Sequence, residues 1–324
     1  MREYFRYTLS NIFSMLGLSC YILMDTFFIS LALGAKGLAS LNLVLPGFNL
    51  ITATGLMLGI GGATRYILYE KEDASLPSGS AFPMAIQSGL IFACVLACIG
   101  GFGAQWIAGV LGAKGALSAM STDYIRTVLL FTPAFVCNDI LNIYIKNDGN
   151  PTLAMTAMIA GSLVNIVLDY LFLFPMHMGM FGAALATGFS PIVGLLISSL
   201  HFLQKKNHFH YCPSSFSVPV LKSIFSLGFP KFVSEISAGI IIVVFNQILL
   251  DLAGHTAVAA YGIVANLSLV LIAVFSGLAE GVQPLYSRAK EQHKPQRLKQ
   301  LWKHTLLFMS GIVAMGVLVV FLKT

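Results

Sequence analysis

The chain has 324 residues, 57% of them hydrophobic and 10% charged, with a net charge of +6 and a mean hydropathy of +0.83. Soluble domains carry about a quarter charged residues, so this composition excludes a soluble enzyme, a disulfide-stapled secreted domain and a disordered tail. The natural solvent of such a chain is a bilayer.

A spanning helix needs about 20 apolar residues. Runs of that kind lie at 9–33, 42–68, 83–110, 123–146, 152–174, 180–204, 222–252, 257–286 and 303–322. They predict an all-α polytopic membrane protein of nine helices. Arg2 and Arg6 precede the first run as they would a signal peptide, but the run is too long for an h-region and holds Asp25. The breaks carry turn chemistry or charge: Gly34-Ala35-Lys36-Gly37, Glu70-Lys71-Glu72-Asp73, Gly112-Ala113-Lys114-Gly115, Asn147-Asp148-Gly149-Asn150-Pro151 and Gln204-Lys205-Lys206-Asn207.

Lys and Arg set the orientation. With the N-terminus in the cytoplasm, the inner side collects Arg2, Arg6, Arg65, Lys71, Lys146, Lys205, Lys206, Lys222, Lys231, Arg288, Lys290, Lys294, Arg297, Lys299 and Lys303. The outer side keeps Lys36, Lys114, Arg126 and Lys323. A nucleic-acid partner would require a basic patch, whereas this charge is sorted by side and holds topology. The expected location is the bacterial inner membrane. The five cysteines (Cys20, Cys94, Cys98, Cys137, Cys212) form no CxxC pair, and those in apolar runs read as small buried hydrophobes.

A shift of 220 residues aligns the second span with the eighth without a gap. It pairs Gly34/Gly254, Ala39/Ala259, Val44/Val264, Ala53/Ala273, Leu58/Leu278, Gly61/Gly281 and Tyr66/Tyr286. The copies are six spans apart, so they run in the same direction, as in transporters built from parallel halves.

Several stretches resemble the multidrug and toxic compound extrusion (MATE) family, in its DinF-like and MepA-like bacterial branch. They are Asp25-Thr26-Phe27-Phe28-Ile29 with Leu33-Gly34 and Pro46; Asn147-Asp148-Gly149-Asn150-Pro151 leading to Asn165-Ile166-Val167-Leu168-Asp169 and Gly182-Ala183-Ala184-Leu185-Ala186-Thr187; Gly228-Phe229-Pro230 with Glu235 and Phe245-Asn246; and Ala257-Val258-Ala259-Ala260-Tyr261-Gly262 with Gly281-Val282-Gln283-Pro284. Their order and spacing cover nearly the whole chain. The resemblance implies a two-lobe helical bundle facing a central cavity. Residues 1–206 would form a complete six-helix N-lobe, 207–221 a cytoplasmic linker, and 222–324 a partial C-lobe of three helices. Such transporters have a dozen helices, so the chain is expected to be truncated after nine, or to be an inactive remnant.

Acids inside a bilayer are expensive, so each one is a functional candidate. Asn165 and Asp169 are four residues apart and share a helix face. The resemblance implies that Asp25, Asn165, Asp169 and Thr187 match the family's cation site. Their carboxylates, amide and hydroxyl are hard oxygen ligands suited to Na⁺, with Asp25 and Asp169 as its principal ligands, or to a proton. The competing reading of Asp25 and Asp169 is a hydrogen-bonded structural acid. Asp139 has Asn138 and Asn142 beside it, which also fits a structural polar cluster. Glu235 resembles a C-lobe acid of another branch of the family, and Glu280 lies between Gly277 and Gly281 on a small-residue face.

The sequence His208-Phe209-His210-Tyr211-Cys212 lacks a fourth ligand at fixed spacing, and with Pro213-Ser214-Ser215 it reads as a linker. Pro46, Pro133 and Pro191 mark expected bends. No Walker sequence occurs, so ATP is not the direct energy source and no cofactor is expected. The expected activity is efflux of small amphipathic or cationic compounds by H⁺ or Na⁺ antiport, by a monomer when full length. A lipid-linked oligosaccharide flippase would want cationic residues in its cavity, where this chain places acids. A membrane-embedded enzyme would want His, Ser or Lys with an acid inside the spans, and His177, His201 and His255 lie at helix ends.

Overall fold

The computed structural model describes residues 2–69, 80–205, 207–209 and 216–323. Among them the chain is helical almost throughout: α1 (Arg2–Tyr69), α2 (Ala81–Val110), α3 (Ala116–Leu130), α4 (Thr132–Asn147), α5 (Pro151–Leu173), α6 (Gly179–Leu203), α7 (Val218–Glu291) and α8 (Pro295–Lys323). The first and seventh are far longer than a bilayer is thick, because at 1.5 Å per residue each would run to about 100 Å.

Both are hairpins. In α1 the helix breaks at Gly34 (φ 65°, ψ −158°), a conformation that a side chain disfavours. Its two ends meet through α7: Gln283 donates to Thr64 Oγ1 at 3.0 Å, and Gly281 of the same turn packs on the backbone of Thr8. In α7, Lys231 and Glu280 lie 3.1 Å apart, although 49 helical residues laid straight would separate them by about 74 Å. The two runs thus supply the first, second, seventh and eighth expected spans. The first pair, however, turns at one glycine, and its helices extend into residues 2–8 and 35–41 that hydropathy assigns to termini and loops. Polar residues at a helix end are satisfied by water beyond the hydrocarbon, so hydropathy sees only the part inside it.

The expected span 123–146 differs more. It is two shorter helices, α3 and α4, bent by 49° at Phe131, with Pro133 within the first turn of α4. The proline ring cannot sit beneath a preceding helical carbonyl, so the helix restarts there. Gly149 (φ +97°) makes the α4–α5 turn, and Asn150 caps α5 by accepting from Leu153 N at 3.3 Å with Pro151 next to it.

Antiparallel contact between the α1 and α7 hairpins forms the middle of the molecule. Backbone approaches backbone at glycines: a Cβ on Gly61 would stand 2.0 Å from Ile224 O and 3.0 Å from Gly228 N, and one on Gly281 would stand 2.8 Å from Thr8 Cα. The shift of 220 converts Gly61 into Gly281 and Thr8 into Gly228, so these two contacts are copies of one another. The internal repeat is therefore a repeat of packing as well as of sequence.

The end of the bundle that holds residues 3–8, 61–64, 146–150 and 280–288 is basic. Arg6 donates to Gly149 O and Arg288 to Asn147 O, and both guanidinium groups stack near Tyr7. Arg297 pairs with Glu3 at 2.8 Å. Two lysines counted above with the inner loops are placed differently: Lys146 and Lys231 lie within α4 and α7 and are largely buried in ion pairs. Counting charges by position along the chain cannot distinguish a loop lysine from one just inside a helix end. Lys71 and the rest of the 70–73 loop, Lys206, His210, Tyr211, Cys212 and the 213–215 stretch lie outside the described residues. So do the side chains of Asn246, Asp251, Ala259 and Val264.

Candidate functional site

Asp25 lies 19 residues beyond Arg6 along α1, and Asp169 lies 18 beyond Pro151 along α5. Each is therefore about 27–29 Å from the basic end, at one depth in the bundle. The α1, α5 and α6 helices pack together, and Asp25, Asn165, Asp169 and Thr187 are all buried where they meet. The Asp25 and Asp169 carboxyl groups face each other closely enough to share a hydrogen bond. Two carboxyl groups can share one only if one of them carries a proton; with both ionised, the pair calls for a cation between them. Asn165, one turn before Asp169, donates its amide to Asp169 Oδ2 at 3.2 Å and accepts from Thr187 N at 3.2 Å, tying α5 to α6. The four residues grouped by sequence therefore form one cluster.

Three of its oxygens have no hydrogen-bond partner in the structure: Asp25 Oδ1, Asp169 Oδ1 and Thr187 Oγ1. Unpaired buried oxygens are costly, and hard oxygen donors from three helices form the kind of set that holds an alkali cation or a proton. Two residues missed in the sequence line the site. Tyr21 of α1 is buried within electrostatic reach of Asp25, Asp139 and Asp169, and Tyr124 of α3 is buried close to Thr187 and within electrostatic reach of Asp25. Tyr21 is four residues before Asp25 on the same helix face and could have been found that way. Tyr124 arrives only through the fold.

The second group of candidates divides: Asp139, Glu235 and Glu280 lie within electrostatic reach of one another and of Lys146 and Lys231, while Asn142 pairs with Asn138. Asn142 donates to Asn138 O at 2.9 Å and to Asn138 Oδ1 at 3.0 Å, and Asn138 Oδ1 in turn fills the space over Gly194 of α6. Asp139, one residue further round α4, faces Gly55 of α1, where a Cβ would lie 2.7 Å from Oδ2. It therefore stands apart from the asparagine pair expected to enclose it. Glu235 and Glu280 are joined through Lys231, at 2.8 and 3.1 Å, and Glu280 also reaches Lys146 at 3.5 Å. Neither glutamate contacts the Asp25–Asp169 cluster.

At the basic end Asp148 holds two histidines. Its Oδ2 is 2.7 Å from His201 Nε2, and its Oδ1 is 2.8 Å from His208 Nδ1. Phe209 is buried against Phe82, Tyr144 and Phe202, so this part of the linker is pinned to the helices rather than lying free. Among the described residues no group of His, Cys, Asp or Glu is arranged to hold a metal ion.

The family model described as MatE matches residues 11–171 and 230–324. The multidrug export protein MepA of Staphylococcus saprophyticus is 29% identical over 305 residues, covering 93% of this chain and 67% of that protein. MepA of Staphylococcus haemolyticus is 27% identical over 302 residues, covering 93% and 66%. The chain thus spans about two thirds of the length of these relatives. Among solved structures, a MATE protein in complex with MaL6 superposes with a TM-score of 0.87 at 23% identity, over 98% of this chain and 72% of that one. A MOP superfamily transporter from Pyrococcus furiosus gives 0.84 at 23% identity over the same shares. At such identity the superpositions speak for the fold.

Proposed function

The chain belongs to the MatE family, a family of multi-pass membrane transporters and not of enzymes, and from that premise we propose that it couples entry of H⁺ or Na⁺ to export of amphipathic, cationic compounds. The observation that carries this reading is the buried Asp25–Asp169 pair, with Asn165 bridging α5 to α6 and three oxygens unpartnered. Residues 1–206 and 222–324 act as two lobes joined by the 207–221 linker, and the basic end faces the cytoplasm.

A cation entering from outside neutralises the facing carboxylates and draws α1, α5 and α6 together around it. That repacking loosens the hold on the compound in the cavity between the lobes, which leaves outward. The lobes then rock, and the cation is released inward. The chain's 13 methionines and many apolar side chains suit varied ligands without strict geometry. A flippase reading gains nothing from the two lysines inside the bundle, since Lys146 and Lys231 are each held by a glutamate.

The test is gradient-driven export of a fluorescent cation from proteoliposomes. Asp25→Asn combined with Asp169→Asn is expected to reduce coupled export to the protein-free level. Export that persists in the double variant would defeat the proposal.

A further inference from the structure

Glu280 occupies an unusual position. It lies on the second arm of α7 between two ammonium groups, Lys231 of the first arm at 3.1 Å and Lys146 of α4 at 3.5 Å. Lys231 has a second partner in Glu235, at 2.8 Å. Below Glu280 on the same face of α7, Gln283 meets Asn147 at 3.3 Å and Thr64 at 3.0 Å, and Arg288 donates to Asn147 O. A stripe of α7 at positions 280, 283 and 287, with Arg288 reaching in from beside it, thus holds the end of α4. The adjoining contacts of α7 with α1 are glycine against backbone, at Gly61, Gly228, Gly277 and Gly281. Those surfaces are flat, with no side chain of their own interlocked across the contact at the glycines, and they can part without a rotamer change. Apolar side chains also meet at this end, Tyr4, Tyr7 and Ile12 of α1 against Leu278, Leu285 and Ala289 of α7, whereas the hold of α7 on α4 is polar.

We propose that Lys146, Glu280 and Lys231 form an exchangeable latch that closes the basic end between the two lobes. The proposal rests on the reading of residues 1–206 and 222–324 as lobes that move. Lys231 and Glu280 belong to one lobe and stay paired in both states, with Glu235 completing the set. Lys146 belongs to the other lobe and pairs with Glu280 only when the end is closed. This arrangement limits the usual penalty for breaking a buried ion pair, which comes from the charge left alone. When the lobes part, Glu280 keeps Lys231, and Lys146, one residue from the end of α4, gains water from the basic side.

The latch is read by the reactivity of a buried position two turns nearer the basic end, covered while the lobes are closed. Ser287, within the stripe and buried, is changed by Ser287→Cys in the full chain, with the five native cysteines replaced by serine. Modification by a membrane-impermeant maleimide is timed in nanodiscs, without gradient or substrate. With Lys146 present the introduced thiol reacts slowly. Lys146→Met is expected to speed it about tenfold or more, and Glu280→Gln similarly, while Lys146→Arg stays within about threefold of the parent. A Lys146→Met rate within about twofold of the parent overturns the latch, as does an Arg variant as fast as the Met one. Because Lys146→Met leaves Glu280 paired with Lys231, its fold is preserved even if Glu280→Gln fails to assemble. The labelling requires no transport, so a lost latch and a lost export activity are separable results.

Discussion

A glycine at φ 65°, ψ −158° decides where the first two spans turn. Gly34→Ala forces a Cβ into a region that non-glycine residues avoid, although no neighbouring atom stands in its way. The expected cost is about 1–3 kcal/mol, seen as a lower thermal midpoint of the detergent-solubilised protein. Gly61→Ala acts through contact instead. Its Cβ would collide with Ile224 O, and backbone cannot swing aside, so a loss of about 1–3 kcal/mol is expected in the same melt. Gly47→Ala is the control, since nothing lies within 4 Å of its Cβ and helix propensity favours alanine by about 0.5–1 kcal/mol. Of these three glycines only Gly34 has a role legible in the chain, as part of Gly-Ala-Lys-Gly. Gly61 recurs as Gly281 in the repeat and Gly47 does not, but neither the repeat nor composition shows which backbone lies against Gly61.

At the scale of elements, hydropathy located the spans but misjudged their ends and internal breaks. The α3–α4 bend was partly legible at Pro133, whereas the helical ends of α1 beyond the apolar run were not. The linker shows the same limit. Its Pro-Ser-Ser composition reads as flexible, yet Phe209 enters an aromatic nest on the first six spans and His208 pairs with Asp148. Phe209→Ala is expected to remove about 3 kcal/mol of docking energy and to loosen the backbone around the exposed Lys205 and the lysine after it in the sequence. Trypsin should then cut at those lysines several times faster in the folded protein. An unchanged digestion rate would show that the anchor lies elsewhere.

For the whole molecule, the proposed coupling makes the choice of ion depend on how many oxygens would close around it. In proteoliposomes loaded with substrate, export under a pH gradient alone, but not under a Na⁺ gradient alone, is the outcome expected if the facing carboxylates bind a proton. The reverse result would assign Na⁺. Either result is compatible with the cluster, because a proton needs only the Asp25–Asp169 pair, whereas Na⁺ also recruits Asn165 and Thr187.

The amino-acid sequence determined that the chain lives in a membrane, where its helices run, that its halves repeat, and that Asn165 and Asp169 share a helix face. Those properties follow from local quantities: apolar run length, charge placement, and the helical period that puts Asn165 and Asp169 on one face. The tertiary structure decided the remainder. It brought Asp25 and Asp169 face to face, added Tyr124, separated Asp139 from the asparagines beside it, and turned two lysines counted as loop charges into partners of Glu280. Each of those outcomes depends on contact between residues far apart in the chain. No periodicity or composition records which helix face meets which, because the same apolar surface serves equally well against lipid or against another helix.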